Sequence, residues 1–400
     1  MEDVQTINEL DALVGRIFSI EDITLGSAKD KYLVRYRGRL YSEDSAAAYD
    51  HLAALLRPHA VTPLFRMEGD RQAILLVSGV VPPVQASNPW VNLGLFVLTL
   101  LSVLLTGGLS NLNGPLPPDL LPAAGMIVRQ GWPFAVSMLG ILGAHEFGHY
   151  LMGRYHGVHV SLPYFIPLPL VSPFGTMGAF INMKEPPKNR RVLLDIAIAG
   201  PLAGAAVAIP VLLIGLSLSA LNRLPAADLP GLSLQLEGNS ILYLLAKFLV
   251  FGAWLPAPVD YHGVAPLLYW GKYFLTGMPF PFGGTDVFLH PVAWAAWGGL
   301  LVTAINLIPA GQLDGGHVLY VLTGRRFAQR LLPFMLAGLV LLGVVWSGWW
   351  LWAVLVFFFG RVYAEPLDQI TPLDKGRKRL AVLALVLFLV TFTPVPIVLV

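Results

Sequence analysis

Residues 133–152 read PFAVSMLGILGAHEFGHYLM, and the fold turns on how this stretch is understood. Apart from Tyr150, its only ionisable side chains are His145, Glu146 and His149. Positions four apart share one face of an α-helix, so the H-E-x-x-H spacing lets His145 and His149 bind a single Zn²⁺. Glu146 stands about 100° further round the helix. From there it reaches a water on the metal without ligating the metal, which suits a general base. Burying such groups in a membrane span is costly, so their presence implies a function. A blander reading has the three side chains satisfying one another's hydrogen bonds between packed helices.

Composition points the same way. The chain of 400 residues is 56% hydrophobic and only 12% charged, against about 25% charged in soluble domains. This predicts a polytopic α-helical membrane protein with about six to seven membrane segments and a small N-terminal α+β soluble domain. The net charge of +2 gives no reason to expect nucleic acid, and a lipid bilayer is the expected surrounding. With no cysteine, disulfides, thiolate ligands and a cysteine nucleophile are excluded. The start, Met1-Glu2-Asp3, resembles neither a signal nor a transit peptide, and suggests a bacterial or archaeal plasma membrane, with a mature organellar form as the alternative.

Residues 1–88 carry ordinary soluble charge density and short patterns. Residues 31–37 alternate like a strand, 42–56 read as a helix capped by Ser42, and 61–66 with 72–77 read as paired strands around a turn at 67–70. Residues 80–89 hold three prolines and read as a linker to a membrane-embedded domain over 89–400. Spans are expected at 90–105, 133–155, 192–221, 291–310 and 380–398, with a Gly/Pro-rich loop at 107–129. The apolar run 331–360 is too long for one span and short for two, with a turn expected at Trp346-Ser347-Gly348. Lys and Arg concentrate in 184–191, 325–330 and 375–379, which assigns those loops and the N-terminal domain to the cytoplasm. Both the 133–155 and 291–310 spans must then end on that side. The stretch 241–255 therefore cannot be a simple crossing and is expected to lie in the interface or re-enter, continued by 262–278.

Two histidines do not complete a catalytic zinc site, which usually takes three protein ligands and keeps a fourth position for water. Residues 304–317 read AINLIPAGQLDGGH and place Asp314 just beyond an apolar span on the same side as His149. Pro309 and Gly311 would break the helix and turn the chain inward. Taken alone, Asp314 also reads as the cap of a helix starting near Gly315.

These residues carry a resemblance. HEFGH on one span, with Asn306-x-x-Pro309 and Leu313-Asp314-Gly315 on a later one, resembles the site-2 protease family of intramembrane zinc metalloproteases. Gly175-Thr176-Met177-Gly178-Ala179-Phe180-Ile181-Asn182 and Ala199-Gly200-Pro201-Leu202-Ala203-Gly204 are similar to two further family segments. The N-terminal region with Asn88-Pro89-Trp90 is similar to the chloroplast and bacterial branch related to the plant EGY proteins. No PDZ-like insertion is visible between the core spans. The resemblance implies one Zn²⁺ on His145, His149 and Asp314, with Glu146 as catalytic base. The substrate it implies is a transmembrane protein or peptide, cut in regulated intramembrane proteolysis. The 174–183 segment would offer an edge strand to an extended substrate, or is an ordinary loop. Asn182 and Asn306 are candidates to bind substrate or support a ligand, Gly175 and Gly178 belong to the edge segment, and His317 is a candidate neighbour of the metal. A transporter or channel using the His/Glu/Asp group for metal or protons is the rival reading, and a catalytically silent scaffold a third.

Overall fold

A computed structural model describes residues 2–27, 29–80, 87–112, 114–227, 235–261 and 263–399. Most of the expected linker at 80–89, and His262 in the expected interfacial stretch, lie outside the described residues.

The N-terminal part is a four-stranded antiparallel sheet backed by two helices. Helix α1 (Glu2–Gly15) leads into β1 (Phe18–Leu25) and β2 (Val34–Leu40). Helix α2 (Ser45–Leu56) precedes β3 (Val61–Glu68) and β4 (Arg71–Ser78), and the sheet order is β1-β2-β4-β3. The turn at Gly69-Asp70 joins β3 to β4. Alternation does the work here, since Val34 and Tyr36 face a core with Leu52, Leu56, Phe65 and Ile74 while their neighbours face solvent. Helix α2 starts three residues later than the sequence suggests. Asp44, rather than Ser42, accepts from the Ala47 N–H as the N-cap. Helix α1 and β1 were not read from the sequence, and β1 carries four polar or charged residues among eight, two of them adjacent acids that interrupt the alternation.

Beyond it the chain is helical. Helices α3 (Pro89–Ser110), α4 (Leu120–Tyr155) and α5 (Arg190–Ser217) pack together, with the hairpin β5 (Tyr164–Pro167) and β6 (Thr176–Phe180) between α4 and α5 in sequence. The 107–129 loop shrinks to 111–119, since helix α4 already begins at Leu120. A helix accommodates Pro122 in its first turn, and Ser137 Oγ donates to the carbonyl of Pro133, which lies within α4. Strands β7 (Ala220–Arg223) and β8 (Gln235–Glu237) precede the short helices α6 (Ile241–Phe251) and α7 (Pro266–Thr276). Strand β9 (Thr285–Phe288) pairs with β7 and leads into α8 (Pro291–Asn306), after which α9 (Asp314–Thr323) follows a turn. The long run 331–360 resolves into α10 (Arg325–Val345) and α11 (Gly348–Phe359), broken at Trp346-Ser347. Helix α12 (Lys375–Thr391) comes next, and β10 (Ile397–Leu399) returns to pair with β8.

Among the described residues, α3, α5 and α10 are long and apolar enough to cross a membrane, and α6, α8 and α11 are shorter apolar helices. The chain is thus built as a membrane protein. Small residues set the packing of its centre, as they do where apolar helices meet in lipid. A Cβ on Gly215 of α5 would fall 2.3 Å from the Ala293 nitrogen of α8, and one on Gly299 of α8 would fall 2.7 Å from Ile141 of α4. Helix α8 has 16 residues, about 24 Å at 1.5 Å per residue, which is shorter than a hydrocarbon core of about 30 Å. Its early end leaves the next segment to approach α4 at depth.

Candidate metal centre

His145 and His149 lie one turn apart on α4, 3% and 6% exposed, with their rings 5.0 Å apart. Asp314 arrives from the start of α9. Its Oδ2 stands 3.3 Å from His145 Nε2 and 3.3 Å from His149 Nε2. The three donor atoms all lie within 4.8 Å of one another, and this is the one such cluster among the described residues. Two ligands held about 2.0 to 2.1 Å from a tetrahedral zinc stand roughly 3.3 Å apart, so the spacing fits that ion. The set of two imidazoles and one carboxylate fits it as well. His149 Nδ1 donates to the carbonyl of Ile196 at 2.7 Å, which leaves the Nε2 lone pair facing Asp314.

Close backbone approach builds this centre. Gly200 and Gly204 of α5 lie against the two imidazoles. A Cβ on Gly200 would stand 2.0 Å from His149 Nε2, and one on Gly204 would stand 3.1 Å from His145 Nδ1. On the other side, Gly311 adopts φ +55°, a left-handed conformation that favours glycine, and turns the chain between α8 and α9. Gly315 and Gly316 then press against the backbone of residues 307–311. Asp314 is the first residue of α9, but the N-cap position belongs to Leu313 and has no side-chain cap bond. Its carboxylate faces the histidines instead.

A cavity of about 550 Å³ opens beside these groups. His145, Glu146, His149 and Asp314 line it, together with Asn182, Asn306 and His317. Glu146 is 4% exposed. The Asn306 side-chain amide sits 3.3 Å from His145 Nε2. His317 Nδ1 is buried and has no hydrogen-bond partner among the described residues. Residues 174–183 supply β6 of the β5–β6 hairpin, whose far edge pairs with no strand among the described residues and whose end lines the cavity at Ala179 and Phe180. Gly175 and Gly178 shape the hairpin and do not line the cavity. Sequence reasoning missed the Ile196 carbonyl and the walls at Glu185–Pro187 and Tyr363–Glu365. A backbone acceptor leaves no mark in a side-chain pattern, and the walls come from segments with no motif.

Residues 133–345, just over half of the chain, match the model of Peptidase family M50. The chain belongs to peptidase family M50. The match begins within α4 and takes in α9 and the whole His/His/Asp cluster, whereas the cavity wall at Tyr363–Glu365 lies beyond it. The chain is also 29% identical over 399 residues to the probable zinc metalloprotease EGY2, chloroplastic, of Arabidopsis thaliana, covering 97% of this chain and 65% of that protein. It is 32% identical over 294 residues to the probable zinc metalloprotease EGY1, chloroplastic, of the same plant, covering 71% and 46%. With the EGY2 protein of Oryza sativa subsp. indica it shares 30% identity over 271 residues, covering 68% and 44%. The chain thus spans between 44% and 65% of the length of these relatives. No solved structure matches it. These relatives are chloroplastic, which does not fit the bacterial or archaeal plasma membrane expected from the start of the chain.

Proposed function

We propose that this M50 member is an intramembrane zinc metalloprotease that hydrolyses a peptide bond within or near a transmembrane helix of its substrate. The observation that carries the reading is the convergence of His145, His149, Asp314 and Glu146 in one cavity beside the free edge of β6. His145, His149 and Asp314 would hold the ion. When bound, zinc supplies a Lewis acid that activates water and polarises the scissile carbonyl.

The chain's own residues do the rest. Glu146 takes the proton of the attacking water and passes it to the leaving nitrogen. The Ile196 carbonyl fixes the His149 tautomer and ring. The Asn306 amide, beside His145 Nε2, is placed to donate to charge developing on the carbonyl oxygen. A transmembrane helix satisfies its own backbone, so its cleaved segment must unwind first. The unpaired edge of β6 offers that unwound segment a strand to pair with, and Asn182 follows at its end. Residues 1–88 form a domain on the side of the basic loops, and 89–400 form the membrane-embedded protease. Lys184 lines the cavity and Lys188, Arg190 and Arg191 follow closely in sequence, which supports a mouth on that side, the cytoplasmic or equivalent face. Such a protease would release a fragment of a membrane protein or clear a membrane remnant.

The test is cleavage of a model transmembrane substrate by the purified full chain in detergent. Cleavage should stop with a zinc chelator and in Glu146→Gln, while Glu146→Gln keeps its zinc. Cleavage that survives either treatment refutes the mechanism, and metal flux in vesicles without cleavage would favour a transporter.

A further inference from the structure

The segment that follows α11 does two things at once. Its first residues, Tyr363, Ala364 and Glu365, wall the cavity. Its next residues dock on the outer edge of β3 in the N-terminal sheet. Phe65 N–H donates to the Leu367 carbonyl at 3.0 Å, and Gln369 N–H donates back to the Phe65 carbonyl at 3.0 Å, a parallel rung beyond the sheet's last strand. Arg66 reaches across and donates to the carbonyls of Pro366 and Leu367 at 3.1 and 2.8 Å. Leu367 and Ile370 add their side chains to the core of the N-terminal sheet. Asp368 is fully buried and accepts from the Ile370 and Thr371 N–H groups, and Ser45 Oγ meets Thr371 Oγ1 at 2.8 Å.

The opposite side of the same segment is also paired. Leu367 N–H donates to the Pro187 carbonyl at 3.0 Å, and Asp368 N–H donates to the Lys188 carbonyl at 2.8 Å. Pro187 belongs to the wall of the cavity at Glu185–Pro187, and Asn189 caps α5, whose Ile196 carbonyl holds His149. One extended segment is thus clamped between the N-terminal sheet and the chain that leads into the metal centre.

We propose that the N-terminal sheet gates the catalytic cavity: residues 363–371 are a strap that is both an added strand of that sheet and a wall of the cavity, so undocking the strap opens the site from its polar side. The inference rests on the zinc reading of the cavity but not on proteolysis. Two features favour a gate over a plain seam. The docked length is short: two backbone bonds and Arg66 on the sheet side, two backbone bonds to Pro187 and Lys188 on the other, and the Leu367, Ile370 and Ser45–Thr371 side-chain contacts, none of which is a bond within a helix, so its release needs no unfolding of the helices. The strap also runs directly into the cavity wall, with no intervening element to absorb a movement.

The test uses the full-length zinc-loaded chain in detergent and reads the rate at which 1,10-phenanthroline removes the zinc, with no substrate present. Arg66→Ala removes charge-assisted bonds to two strap carbonyls and should speed zinc removal about tenfold. The chain has no cysteine, so Ser45→Cys with Thr371→Cys gives a unique pair, closed by oxidation or by a short bis-maleimide. Closing it should slow zinc removal at least about tenfold relative to the reduced protein, while single-cysteine variants do not respond. Cleavage of the transmembrane substrate should change in the same directions. Equal rates in all forms, or faster removal on closure, overturn the gate. If zinc access follows the strap but nothing is cleaved, the protease reading fails and the gate stands. If the wild-type chain holds no zinc, the metal reading fails and the gate, which rests on it, falls with it.

Discussion

Gly200→Ala is the sharpest probe of how the metal centre is built. The added Cβ would lie 2.0 Å from His149 Nε2, about 1.4 Å inside ordinary contact at 3.4 Å. The neighbour is a ring nitrogen whose other nitrogen is tied to Ile196 on the same helix, so the imidazole cannot simply swing aside. Either α5 withdraws from α4 by more than an ångström or His149 leaves its place. A displacement of that size in a catalytic group costs roughly 10²-fold in rate, and zinc affinity should fall by about 10- to 100-fold with it. Gly204→Ala makes a graded control. Its Cβ would meet His145 Nδ1 at 3.1 Å, an intrusion of a few tenths of an ångström, and should cost much less. Gly140→Ala on α4 meets nothing within 4 Å and should retain zinc and activity. Zinc content after dialysis, measured by elemental analysis beside the helical circular dichroism of each variant, decides the matter. If Gly200→Ala keeps full zinc and activity, or if Gly204→Ala is the worse of the two, the close approach of α5 does not position the ligands.

Two further outcomes follow from the same structure. Lys247 is fully buried 3.6 Å from Asp286 and 3.9 Å from Glu237, so Lys247→Met leaves two carboxylates facing each other and should destabilise the detergent-solubilised protein by about 3–5 kcal/mol. An unchanged thermal midpoint would show that the pair does not stabilise the β8–β9 region. Asp374 caps α12, and the Arg377 N–H and guanidinium hold its carboxyl down at about 2. Its stabilising contribution is therefore present above the ordinary carboxylate range and is lost as pH falls towards 2. The stability difference between the wild type and Asp374→Asn should be constant at neutral pH and close as the solution becomes strongly acidic. A difference that widens with acidification contradicts the cap.

Much of the site was legible because membrane depth makes polar residues conspicuous. His145, Glu146 and His149 stand out in an apolar run, and Asp314 stands out just past another, which is enough to nominate all four. What joins them was not legible. The Ile196 acceptor is a backbone atom, and the Lys247, Glu237 and Asp286 group assembles residues from α6, β8 and β9. In the fold, the pattern read at 61–66 and 72–77 found β3 and β4 to within two residues, whereas helix α4 was read too short because the Gly/Pro-rich run 107–129 looks like a loop although the helix runs through 120–129. The strap at 363–371 escaped notice for a related reason, since its pairing is with partners some 180 and 300 residues away and no local pattern announces it.

The donor set is divided between α4 and α9, with Asp314 reaching the histidines only after α8 has ended short and Gly311 has turned the chain. During synthesis, the two histidines enter the membrane 165 residues before the carboxylate exists. A growing chain therefore carries a base and two imidazoles but no complete metal cradle until its later helices have packed. Under the proposed function, chemistry that cuts peptide bonds in the bilayer would be withheld from every partly made copy, and metal occupancy would become a readout of finished assembly.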